Sequence, residues 1–107
     1  CVSSFEDKSD DIHYIEAIQI QDNSPQKTWS LLQSLIKQDN SADIIDQDDH
    51  YIYAEYTSDI MRFVDDTEFL LDPKNQQIHV RSASRLGHKD FDVNRERIEA
   101  IRSLLQP

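Results

Sequence analysis

Two segments of this chain hold more reactive side chains than a buried sheet usually carries: Arg62-Phe63-Val64-Asp65-Asp66-Thr67-Glu68-Phe69 and Ile78-His79-Val80-Arg81-Ser82-Ala83-Ser84-Arg85-Leu86-Gly87. Carboxylates can serve as bases, guanidiniums as bidentate forks for carboxylate or phosphate, and hydroxyls as donors that orient a ligand. All three types alternate here with Phe, Val, Ile and Leu, the spacing of a half-buried strand. The polar groups are therefore divided between two faces of a sheet.

If Phe69, Leu71, Ile78 and Val80 face the core, alternation carries Asp65, Thr67, Ser82 and Ser84 onto that same inner face. Asp66, Glu68, His79, Arg81 and Arg85 then share the outer face. Pairing Leu71 with Ile78 sets Glu68 across from Arg81 and leaves Asp66 diagonal to both arginines. Two accounts of the outer face compete: a ladder of exposed ion pairs, each worth about 0–1 kcal/mol, and an arginine platform for an anion. Asp66 and Glu68 compete with any anion for the same guanidiniums.

The inner polar end is the sharper candidate, because buried Asp, Ser and Thr groups must find partners. Asp65 is expected to be the least exposed acid of the Asp65, Asp66 and Glu68 set. Its donors are sought in Thr67, Ser84, Arg95 or the amides at the start of the final helix, where the dipole favours an anion. An internal network is one reading. A small cleft in which Asp65, Ser82, Ser84, Asn94 and Arg95 converge on a ligand is the other, giving Asp65, Arg81, Ser82, Ser84, Arg85, Asn94 and Arg95 as the candidate binding set.

Other chemistries find little support. His13, His50, His79 and His88 are scattered, with neither a His-Glu-x-x-His pattern nor zinc spacing. Asp48-Asp49-His50 reads as a polar turn before it reads as a cation site. There is no calcium loop, no Gly-x-Ser-x-Gly elbow and no phosphate loop, and no cofactor is expected. Cys1 has no neighbouring base to make it a nucleophile.

The elements that must position these groups follow from periodicity. Cys1 to Asp11 reads as a polar arm, and Ile12 to Ile20 as a first strand. Ser24-Pro25 starts a helix, carried by Trp29, Leu32, Leu35 and Ile36 to about Asn40. Ala42 to Asp46, Tyr51 to Tyr56, Phe63 to Leu71 and Gln77 to Arg85 are strands, the last two forming a hairpin across Asp72-Pro73-Lys74-Asn75. Asn94 is expected to cap a final helix through Ile98, Ile101, Leu104 and Leu105, with Val93 and Ile98 as a hydrophobic staple. The order β-α-β-β-β-β-α predicts an α+β two-layer sandwich, with an antiparallel sheet of about five strands covered on one face by both helices.

The 107 residues fit one domain with a modest core, and 37% hydrophobic content supports a folded globule. A formal net charge of −10 disfavours nucleic acid and anionic lipid as partners. No apolar run approaches the ~20 residues of a membrane helix, so the chain reads as a soluble domain. Acids crowd the first half and Arg81, Arg85, Arg95, Arg97 and Arg102 the last quarter, which leaves a small anion acceptable where a polyanion is not.

The Arg81 to Arg85 run, the Asn94-Arg95 pair and Cys1-Val2-Ser3-Ser4 together resemble the bacterial and plastid family called domain of unknown function 1499. The resemblance spans nearly the whole chain. It implies no reaction, and it makes Arg81 to Arg85 and Asn94-Arg95 signature positions. Two departures stand out: His88 where members commonly have an aromatic, and Phe91-Asp92 where they have leucine-glycine, although Asp tolerates unusual backbone angles. The resemblance also implies a cell-envelope, periplasmic or plastid setting. Cys1 could be a lipid-bearing residue or an internal motif position behind a longer leader. The expectation is a non-enzymatic domain that binds a small or amphipathic ligand, or a protein partner, at the polar cluster. A hydrolase-like enzyme using Asp65 or Asp66 and a purely structural module are the rivals.

Overall fold

A computed structural model describes residues 1–21, 24–85 and 92–106. The chain forms β1 (Val2–Ser3), β2 (Ile18–Gln19), α1 (Pro25–Gln38), β3 (Ala42–Gln47), β4 (Tyr51–Thr57), β5 (Val64–Asp72), β6 (Gln77–Ser84) and α2 (Val93–Leu105). All strands belong to one antiparallel sheet of six, ordered β1-β6-β5-β4-β3, with β2 also paired to β6. This is the α+β architecture that the periodicity predicts, with a sixth strand added.

The addition comes from the arm. Val2 and Ser3 are buried and pair with Ser82 and Arg81, so the first residues complete the sheet instead of extending from it. The segment after them turns back on itself, and Tyr14 makes only an isolated parallel bridge to Ser3. The strand expected over Ile12 to Ile20 thus shrinks to Ile18–Gln19. Both short strands share one edge of β6, and neither has room to extend past the other.

The hairpin register falls where the apolar alternation puts it: Leu71 opposes Ile78, Phe69 opposes Val80 and Glu68 opposes Arg81. One face of the sheet, from Ile52 and Ala54 through Phe69 and Leu71 to Ile78 and Val80, is buried beneath Trp29, Leu32 and Ile36 of α1 and Ile98, Ile101 and Leu105 of α2. Each helix buries residues three or four apart, the stripe that an amphipathic helix turns toward a core. The Trp29 indole also donates to the carbonyl of Asp48 at 3.3 Å, anchoring α1 to the β3–β4 turn. The other sheet face is open.

Helix ends depart from expectation in one place. Pro25 begins α1 after Ser24, as predicted, though the Ser24 side chain makes no capping bond. Asn94 does not cap α2: the cap lies two residues earlier, at Asp92, which holds a left-handed conformation at φ 66°, and Val93 is too exposed to staple. Asp92 thus adopts a backbone angle that glycine favours and that Asp tolerates better than most residues. His88 and Phe91 lie outside the described residues.

Candidate functional site: a polar cluster and the cleft beside it

Alternation delivers Asp65, Thr67, Ser82 and Ser84 to the covered face, and α2 supplies the rest. Asp65 opposes Ser84 and Thr67 opposes Ser82 across the hairpin. Thr67 and Ser82 share a hydroxyl bond of 2.8 Å, and Ser82 donates to Asn94 Oδ1 at 2.6 Å. Asn94 Nδ2 in turn donates to Ser84 Oγ at 3.1 Å. Thr67, Ser82 and Asn94 are fully enclosed. A missing partner here would leave a desolvated polar group, so the network fixes both the strand pair and the height of α2 above it.

Asp65 is the least exposed of Asp65, Asp66 and Glu68, as alternation demands, and the one buried acid of β5. Its charge is met by Arg97, whose Nη2 donates to Asp65 Oδ2 at 2.8 Å, while Nη1 reaches Asn94 Oδ1 at 2.8 Å and Ser82 Oγ at 3.1 Å. The same guanidinium lies 4.4 Å from the centre of the Tyr56 ring. Burial, with Asp39 assisting and Arg97 opposing, pushes the Tyr56 phenol up to about 12. Tyr56 therefore stays neutral through the physiological range.

Arg97, not Arg95, is thus the cation of the cluster. Arg95 turns away and donates through Nη2 to the carbonyls of Ile12 at 3.2 Å and Tyr14 at 2.8 Å, tying the returning arm to α2. The signal was present in the helical spacing: position 97 lies three residues beyond buried Asn94 and four before buried Ile101, on one face, whereas position 95 is about 100° from Asn94. Arg102 holds the carbonyls of Glu16 and Ala17 in the same manner.

The open face realises the ion-pair ladder. Arg85 engages Asp66 through Nε at 3.1 Å and Nη2 at 3.0 Å, and its Nη2 also reaches Glu55. Tyr53 donates to Asp66 at 2.6 Å and Tyr51 to Glu68 at 2.6 Å, with Arg81 3.4 Å from Glu68. Arg85, then Tyr53, hold the Asp66 carboxyl below its ordinary value, against some desolvation. Burial and the Glu68 bond raise the Tyr51 phenol. His79 stacks on Phe5 with ring centres 4.6 Å apart and meets Asp72 at 3.3 Å. Arg81 and Arg85 accordingly lie on the face opposite Asp65, Ser82 and Ser84, and the seven candidates do not form one site.

Beside the inner cluster, between the second half of α1 and α2, runs a cleft of about 430 Å³. Leu35, Ile36, Val93, Ala100, Ile101 and Leu104 give it apolar lining; Tyr56 and Arg97 line it with Asp39, Ser41 and Glu96 at its polar end. Asp39 is committed locally, accepting from the Ser41 amide at 2.9 Å and hydroxyl at 2.7 Å. Sequence reasoning missed this cleft because it arises from the spacing between two helices, which no local pattern encodes. Among the described residues no group of three or more His, Cys, Asp or Glu could hold a metal ion, and Asp48 instead caps its turn by accepting from the amides of His50 and Tyr51, each at 2.8 Å.

The chain belongs to the family described as protein of unknown function (DUF1499), whose model matches residues 1–105. Comparison with curated proteins and with solved structures gives no match.

Proposed function

We propose that this DUF1499 domain is a non-enzymatic binding module whose interhelical cleft takes a small amphipathic molecule. The apolar part lies between α1 and α2, and the polar head sits at the Tyr56 and Arg97 end. The cleft itself is the observation that carries this reading: its volume falls within the ~300–1,000 Å³ of small-molecule sites, and it pairs apolar walls with a few polar groups at one end. The polar cluster supports the site from beneath. Its hydroxyls, amide and carboxylate are occupied with one another and with Arg97, so they orient the guanidinium at the cleft floor and do not themselves receive the ligand.

The enzyme alternative is weaker on chemical grounds. A general base works best with a pKa near the operating pH. Asp66 is held in the opposite direction by Arg85 and Tyr53, and Asp65 is bonded to Arg97.

The test is thermal unfolding of the protein titrated with dodecylphosphocholine below its micellar concentration. A ligand that binds only the folded state at about a hundred times its Kd adds about 2.7 kcal/mol, so the midpoint should rise with concentration. Ala100→Trp, which fills the cleft from an exposed position, and Leu104→Asp, which charges its wall, should fold normally and abolish the rise. No rise in the wild type, or an equal rise in both variants, refutes the assignment.

A further inference from the structure

Residues 58–63 join β4 to β5, and their composition is unlike that of most tight connections. Ile60 is 90% exposed, Met61 63% and Phe63 40%. Loop tips are normally polar, because each apolar side chain left in water forgoes the gain of burial. This loop is nevertheless well built. The Ser58 amide donates to the Phe63 carbonyl at 2.9 Å, the Phe63 amide to Ser58 Oγ at 3.0 Å and the Arg62 amide to the Ser58 carbonyl at 3.1 Å. Arg62 closes the turn at φ 58°, a conformation disfavoured for a residue with a long side chain. The backbone is thus locked in a form that keeps Ile60 and Met61 outside.

The same end of the molecule gathers further exposed apolar groups. Thr57 opposes Val64 and Asp65 opposes Ser84, so the loop sits at the sheet end where β6 finishes, and Asn94 bonds Ser84 there as α2 begins. Val93, at the start of that helix, is 43% exposed. Ile12, whose carbonyl is bonded to Arg95 in the first turn of α2, is 76% exposed. Asp46 and Asp72, near the ends of β3 and β5, and Asp48 and Asp49 in the β3–β4 turn lie at the opposite end, while Asp10 and Asp11 precede Ile12, Asp59 precedes Ile60 and Asp92 precedes Val93.

We propose that this end docks on a lipid bilayer with zwitterionic head groups, inserting Ile60 and Met61 at the interface with Val93 and Ile12 beside them. A projecting pair of aliphatic side chains needs an occupant that yields around it, which fluid lipid does. A second copy offers the same projecting tip and the same negative charge, and fits poorly. The net charge of −10, with Asp10 and Asp11 beside Ile12 and Asp92 beside Val93, turns away anionic head groups, whereas Asp59 and Arg62 balance at the loop tip itself. Insertion through so few side chains gives weak, reversible attachment. The proposal goes beyond the ligand site, shares only Val93 with it, and stands on Ile60 and Met61 without it.

Flotation with phosphatidylcholine vesicles tests it, using the whole chain and the doubly substituted Ile60→Ser/Met61→Ser protein. Both positions are exposed, so the double variant should keep its wild-type melting midpoint. The wild type should float with the vesicles at both low and high salt, and the double variant should partition at least about tenfold less. Phosphatidylserine in the vesicles should weaken the association. No flotation of the wild type, or equal flotation of the two proteins, overturns the proposal. So does a concentration-dependent dimer of the wild type, seen by ultracentrifugation, that the double variant abolishes.

Discussion

Asp65 and Asp66 are neighbours in sequence with opposite fates. Asp65 is 7% exposed and faces Arg97 beneath α2, so Asp65→Ala strands a guanidinium that has already left most of its water. Breaking such a pair should cost about 3 kcal/mol. Asp66→Ala, on the open face where water can replace the carboxylate, should cost about 1 kcal/mol or less. Urea unfolding of the two variants decides between them; equal losses would mean that the inner network contributes little. Asp66 also carries a pH signature. Arg85 holds its folded-state pKa below the ordinary value of about 3.9. The carboxylate therefore adds stability above about pH 4 and loses it as pH falls toward the folded value. Melting midpoints followed from pH 5 to about pH 2.5 should fall less in Asp66→Asn than in the wild type, and parallel curves would exclude the coupling. At this scale alternation alone separated the two acids in the sequence. It could not name Arg97, because a partner on a helix is chosen by where that helix docks.

The hairpin and α2 divide the work of holding the site. β5 and β6 were legible to within a residue, since Phe69, Leu71, Ile78 and Val80 permit one register and a slip by one would bury Glu68 and Arg81. The first twenty residues were much less so. Beyond the two-residue strands β1 and β2, their backbone is held by α2: Arg95 takes the carbonyls of Ile12 and Tyr14, Arg102 those of Glu16 and Ala17, and Gln106 that of Gln19 at 2.9 Å. Long-range grips of this kind leave no periodic trace. Arg102→Met should therefore loosen the arm while sparing the sheet. Hydrogen exchange at the Ile20 amide, bonded to Gln76, should quicken roughly tenfold, with Phe69 and Val80 unchanged. A uniform rise across the sheet would show that the arm is not a separate unit. The helix on the other flank was read correctly, and Trp29→Ala, removing a side chain only 3% exposed, should cost about 3–5 kcal/mol in the same urea experiment.

Among the described residues, one sheet face is sealed by two helices, and the other carries paired charges with Phe5 stacked on His79. Arg81 and Arg85 are bound to Glu68, Glu55 and Asp66, which leaves the open face without the cationic stripe that phosphates require. Among the described residues no helix is long and apolar enough to cross a membrane. The helix spacing leaves an apolar cleft that ends at Arg97, and the account of function rests there. Its most direct test is a chemical-shift map of the ¹⁵N- and methyl-labelled protein during titration with dodecylphosphocholine below its micellar concentration. The account predicts saturable shifts centred on Leu35, Ala100, Ile101 and Leu104 and on the Arg97 side chain, with Tyr53 and Arg85 silent. Shifts centred on the open face, or none that saturate, would contradict it.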